Sequence, residues 1–91
     1  MGEVRRYQVR ASGVTWREVG DQIVVLDLDT SRYLSVSGAA TEIWPQLLSG
    51  ATEDELVATL VDAFDVDDAV ARADTLSFLD DLQARGLLRP T

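Results

Sequence analysis

The 91-residue chain has no cysteine and no histidine, and each absence removes a class of chemistry. Without cysteine there are no disulfides and no thiol nucleophile; without either residue there is no zinc site of the usual kind and no imidazole base. A catalytic centre would have to be built from carboxylates, arginine, tyrosine or hydroxyls. The glycine signatures of phosphate loops, dinucleotide folds and serine-hydrolase elbows are missing too. No apolar run approaches the roughly 20 residues of a membrane span. The first residues, MGEVRRYQVR, lack the apolar segment of a secretory signal. The expectation is a cytoplasmic, non-catalytic protein with no metal, no cofactor and no membrane partner.

Lysine is also absent: all eight basic residues are arginine, against sixteen acids, for a net charge of −8. The imbalance is uneven. Residues 1–17 carry +3, residues 18–50 carry −4 and residues 51–91 carry −7. Two readings are open, a solvated acidic surface that aids solubility or a face for a basic partner. At 46% apolar and 26% charged the chain is ordinary for one small globular domain.

The hydrophobic period changes once, near residue 37. Before it, Val14–Val19, Ile23–Leu28 and Tyr33–Val36 alternate or are β-branched, with turn signals at Gly20-Asp21 and Asp29-Thr30-Ser31. Connections this short require an antiparallel meander. Residues 4–10 alternate weakly, so residues 1–12 read as a frayed strand or flexible arm ahead of a domain over 13–91. After residue 37 the period is helical. A first helix over about 38–49 stops at Gly50, and Pro45 predicts a kink or split near Trp44. Thr52 to Glu55 forms a capping box for a second helix, whose apolar face is Leu56, Val57, Leu60, Val61 and Phe64. A third helix begins near Asp67-Asp68 and ends before Gly86. Phe78, Leu79 and Leu82 share one side of it, while Val66, Ala69, Val70 and Ala73 share another, with Leu76 between. So wide a stripe means either burial between two neighbours or a helix lining an apolar groove.

The fold class is therefore α+β, a winged-helix-like arrangement of a three-stranded meander followed by three helices. DNA binding fits that topology but not the charge. The third helix carries Asp67, Asp68, Asp74, Asp80 and Asp81 against Arg72 and Arg85, and phosphates repel such a surface. An acyl carrier needs a serine for its prosthetic arm, and the nearest match, Asp74-Thr75-Leu76, offers threonine inside a helix. Peptide binding by strand addition fits better, since a three-stranded meander leaves two edges with unpaired backbone groups.

Residues 24–88 resemble the PqqD-like proteins, also called RiPP recognition elements, which bind leader peptides of ribosomally made natural products. The segments that carry the resemblance are VVLDLDTSRYLSVSGAATEIWPQLLSG, ATEDELVATLVDAFDV and DTLSFLDDLQARGLL, about 70% of the chain. Within them the family pattern falls on Tyr33, Gly38, Ile43-Trp44, Leu47 to Gly50, Thr52 to Leu56 and Asp74 through Leu88. The resemblance implies a leader captured as an added strand against the third strand, in a groove closed by the third helix. The backbone edge would be Arg32, Tyr33, Leu34, Ser35 and Val36; the helix side would be Val66, Ala69, Arg72, Ala73, Leu76 and Asp80. The likeness is greatest to the discrete recognition protein of a lasso-peptide pathway, whose partners are the precursor leader, a leader peptidase and a cyclase. The alternative is a carrier for a quinone-cofactor pathway or another with a radical modifying enzyme. Single residues keep two readings each. Trp16 is core or a docking aromatic, Tyr33 meets solvent or peptide, and Arg72 forms a surface ion pair or meets a leader carboxylate.

Overall fold

A computed structural model describes residues 5–10 and 12–89. It begins with a two-residue strand β1 (Arg6–Tyr7), followed by the meander β2 (Val14–Val19), β3 (Gln22–Asp27) and β4 (Arg32–Val36). Helix α1 (Ala40–Ser49) leads through β5 (Ala51–Thr52) into α2 (Glu53–Phe64), and α3 (Asp68–Ala84) completes the chain. The meander has the order β2-β3-β4, so both outer strands are edges; β1 and β5 form a separate antiparallel pair.

Register follows from the turns. Val19 pairs with Gln22 across a two-residue loop in which Gly20 has φ +62° and Asp21 does not have positive φ. That is the glycine-first turn whose twist suits an antiparallel hairpin. One face of the resulting sheet carries Ile23, Val25 and Val36, all buried. They meet Ile43, Trp44 and Leu47 of α1, Leu56, Val57 and Leu60 of α2, and Ala71, Leu79 and Leu82 of α3 in one core. Burying a large aliphatic side chain is worth about 1.5–3 kcal/mol, so this single core carries most of the stability of so small a domain.

The helix boundaries follow their caps. Thr52 and Glu55 exchange the two reciprocal bonds of a capping box, at 3.2 and 2.8 Å. The Asp67 carboxylate accepts from the Val70 amide at 2.9 Å to open α3. Pro45 does not split α1, which runs unbroken through it. Ile43, Trp44 and Leu47 are wholly buried around the proline, and that packing outweighs the roughly 3 kcal/mol a mid-helix proline costs.

Two apolar expectations fail on exposure. Phe64, at the end of α2, is 45% exposed rather than part of its buried face. In α3 the buried stripe is Ala71, Thr75, Leu79 and Leu82, with Phe78 half-buried; Ala69, Val70, Ala73 and Leu76 are exposed. The second apolar side of α3 is thus not packed between neighbours but open to solvent.

Of the segment 1–12, residues 1–4 and 11 lie outside the described residues. The rest is tied to the body. Val9 is buried and its amide donates to the Leu47 carbonyl at 2.9 Å. Val9 also bridges Leu88, flanked by Arg10 N–H to Leu87 O (2.9 Å) and Arg89 N–H to Gln8 O (2.8 Å).

Candidate functional site

Antiparallel ladders alternate, each residue turning its N–H and C=O to one neighbour and then the other. Since Val19 and Gln22 flank the tight turn, they form a bonded pair, and the same parity gives 17 with 24 and 15 with 26. The Leu28 amide donating to Gly13 O at 2.8 Å continues it. Residues 23, 25 and 27 therefore bond to β4, through their partners Val36, Leu34 and Arg32. Tyr33 and Ser35 are left with amides and carbonyls directed away from the sheet, at its open edge. Their side chains lie on the outer sheet face, where Tyr33 is 71% exposed. Arg32, Leu34 and Val36 lie on the inner face.

Beside this edge the inner face opens into a cleft of about 430 Å³. Val25 and Leu34 give its sheet wall, Ala84, Arg85 and Leu87 its opposite wall, and Asp27, Thr30 and Arg32 the end near the β3–β4 turn, with Tyr33 at the rim. The turn is held rigidly. Asp27 Oδ1 accepts from the amides of Asp29 (3.0 Å) and Thr30 (3.4 Å) and from Arg10 Nη2 (3.0 Å). Arg10 Nη1 reaches Asp29 as well, at 2.8 Å. Loss of water alone would raise the Asp27 pKa, but the Asp29 amide, the Arg10 guanidinium and the Thr30 amide together hold it below the usual carboxylate value. The Arg10 pKa is raised in turn, chiefly by its bond to Asp29. A buried acid at the cleft floor is therefore already neutralised by the chain itself.

Residues 22–88 match the family described as Coenzyme PQQ synthesis protein D, or PqqD. The chain belongs to the PqqD family. Two solved structures are similar to this PqqD-family chain over 92% of its length. The first, described as TbiB1 in complex with the TbiA(beta) leader peptide, has 25% identity and a TM-score of 0.82, and 96% of that chain is covered. The second, described as lasso peptide synthetase B1 complexed with the leader peptide, has 20% identity and a TM-score of 0.80, with 98% of that chain covered, and bears on the fold alone. No curated protein matches the sequence.

In this PqqD-family chain the residues expected to bind peptide separate into two groups. Arg32, Tyr33 and Leu34 line the cleft; Ser35 contributes the open edge, while Val36 turns into the core. The helix positions do not join them. Ala69, Ala73, Leu76 and Asp80 are exposed outside the cleft lining, and Val66 is half-buried against the core. Arg72 is turned toward α2, where it pairs with Glu53, with Asp54 at 3.0 Å and with Asp68 at 3.4 Å. The Glu53 and Asp54 bonds raise its pKa further. The far wall of the cleft is instead the C-terminal end of α3 and the residues just after it. The signal for this lies in the Gly86 break and the Leu87-Leu88 pair, which bring the chain back across the sheet. Trp16, exposed at 40%, stands edge-on to buried Trp44 with ring centroids 6.5 Å apart.

Proposed function

We propose that this chain captures the leader of a ribosomally made precursor as an added strand on β4 and delivers it to a leader peptidase and a cyclase in lasso-peptide maturation. The observation that carries the reading is the open edge at Tyr33 and Ser35 above a cleft whose walls combine Val25, Leu34, Ala84 and Leu87 with Arg32 and Arg85. It is supported by family membership and by a structural neighbour described as a leader-peptide complex. The role is binding rather than catalysis, exercised in the cytoplasm where the precursor is made. The surface best suited to it is the edge of residues 32–35 with Ala84, Arg85 and Leu87.

Magnitudes define what the leader must bring. The two edge residues offer four backbone groups, and hydrogen bonds at about 0.5–1.5 kcal/mol net contribute only a few kcal/mol. Micromolar affinity requires about 8 kcal/mol, and ordering a flexible peptide costs about 2–5 more. At about 25 cal/mol per Å², the remainder of roughly 4–11 kcal/mol calls for roughly 160–440 Å² of apolar burial, which two large side chains supply.

The competing classes meet physical obstacles. Thr75, the nearest thing to an acyl-carrier serine, is fully buried. Asp74, Asp80 and Asp81 are exposed along α3, where a DNA reader needs cations. A second peptide pathway, that of a quinone cofactor, is favoured only by the family description.

Fluorescence polarisation of a labelled leader from the neighbouring precursor gene, titrated with this protein, tests the proposal. Saturable binding at or below micromolar, lost on scrambling the leader, is expected. A quinone-cofactor precursor peptide that binds more tightly would move the chain to that pathway, and no binding of either would remove the capture role.

A further inference from the structure

Two arginines, Arg32 and Arg85, line the same cleft, and both have hydrogen-bonding capacity to spare. Arg32 is on the inner face of β4; among the described residues no carboxylate lies within 4.0 Å of its guanidinium. Arg85 donates through Nε to Asp81 at 3.0 Å, and among the described residues its two terminal nitrogens have no acceptor. The acids nearby are engaged: Asp27 by Arg10 and two amides, Asp29 by the same Arg10, and Asp81 by Arg85. In a chain of net charge −8, two arginines at one cleft are conspicuous: Arg32 has no acid partner among the described residues, and Arg85 engages Asp81 through one nitrogen only. Both arginines are exposed in the free chain, and an arginine fork that a bound peptide covers is best satisfied by a carboxylate, which it can hold by two parallel bonds.

We infer that Arg32 and Arg85 form a carboxylate subsite, so that the captured peptide carries an aspartate or glutamate at the cleft. This rests on the strand-addition reading above and deepens it. Strand geometry fixes the spacing. Side chains of an added strand alternate between the two sheet faces. One inward residue lies beside Leu34 and Val25, and the next inward residue, two positions along, lies beside Arg32. The ligand pattern is a large apolar residue and an acid separated by one residue. Tyr33, between Arg32 and Leu34, pairs with the intervening residue through its backbone and leaves that side chain unselected.

A displayed library of random dodecapeptides, selected on the intact protein, tests the subsite directly. Selected peptides are expected to share an apolar residue and an acid in that spacing. For one such peptide, replacing its acid by the amide and making Arg32→Gln should each weaken binding roughly tenfold, the scale of a charge-assisted hydrogen bond. Combining the two should cost little more than either alone. Arg32→Glu should turn the library toward lysine and arginine at that position. Arg17→Glu makes the same change in net charge from the outer face of β2 and should leave the selection unaltered. Circular dichroism of each variant keeps a folding defect from passing as lost binding. Enriched peptides without an acid, additive losses, or an equal effect of Arg17→Glu would overturn the subsite while leaving strand capture intact. Failure of the wild-type protein to enrich any peptide would overturn both.

Discussion

Asp27 is the residue on which pH should act most plainly. It has 7% of its surface exposed and three donors on one oxygen, so its carboxylate is stabilised in the folded protein and ordinary in the unfolded one. Glu55, held low mainly by the Thr52 amide and hydroxyl, behaves in the same sense. A depressed folded pKa gives stability that is fully present above the unfolded value, about 4 for these groups, and is lost as pH falls through the folded value. Thermal unfolding should therefore be nearly flat above about pH 5 and fall steeply below about pH 4. Asp27→Asn should lower stability at neutral pH and flatten the acid limb. An unchanged limb in that variant would assign acid sensitivity elsewhere. The cleft end should loosen with the same titration, since the amides of Asp29 and Thr30 are released together.

At the scale of the element, β4 and α3 divide sharply in how far their sequences can be read. The alternation of Arg32, Leu34 and Val36 against Tyr33 and Ser35 already separates inner from outer face, and short turns leave one antiparallel register. The free edge follows from that parity. A proline at Ser35 tests it, because the bonds to β3 run through residues 32, 34 and 36 and survive the change. Ser35→Pro should keep its far-ultraviolet spectrum yet weaken leader binding by up to about tenfold, one backbone bond's worth. Leu76→Ser, on the exposed side of α3, should leave both folding and binding unchanged. A loss with Leu76→Ser and none with Ser35→Pro would transfer the site to the helix. The helix is harder to read because apolar spacing alone does not say which apolar residues meet a partner. Ala69, Val70, Ala73 and Leu76 form a stripe that is solvated, whereas the real stripe includes a threonine, Thr75, and an alanine, Ala71. The capping box, in contrast, is local, and Thr52 with Glu55 needs no tertiary context. For Arg72 the sequence gives the charge and withholds the partners. Glu53 and Asp54 come from another helix, and only the packing of α2 on α3 brings them to its guanidinium.

For the whole molecule, the ends of the described chain meet. Residues 8–10 run beside 87–89, joined by two backbone hydrogen bonds and by Arg89 Nη1 donating to Gln8 Oε1 at 2.9 Å. Leu87 at that seam is also a wall of the cleft. The cleft therefore depends on the closing of the chain upon itself. The ends do not simply hang from a finished core. A domain that is entered and left at one place is a transposable unit: it can be opened into a loop of a larger protein without stretching its host. A circular permutant that links residue 89 to residue 5 by a short glycine-serine bridge and opens at the Gly20-Asp21 turn should fold and keep leader binding within a few-fold, read by denaturation and polarisation. A permutant that folds but no longer binds would mean that the seam must be free to breathe as peptide enters. A permutant that keeps binding would mean that the seam makes the proposed recognition function portable, able to be carried whole into an enzyme and set beside its active site.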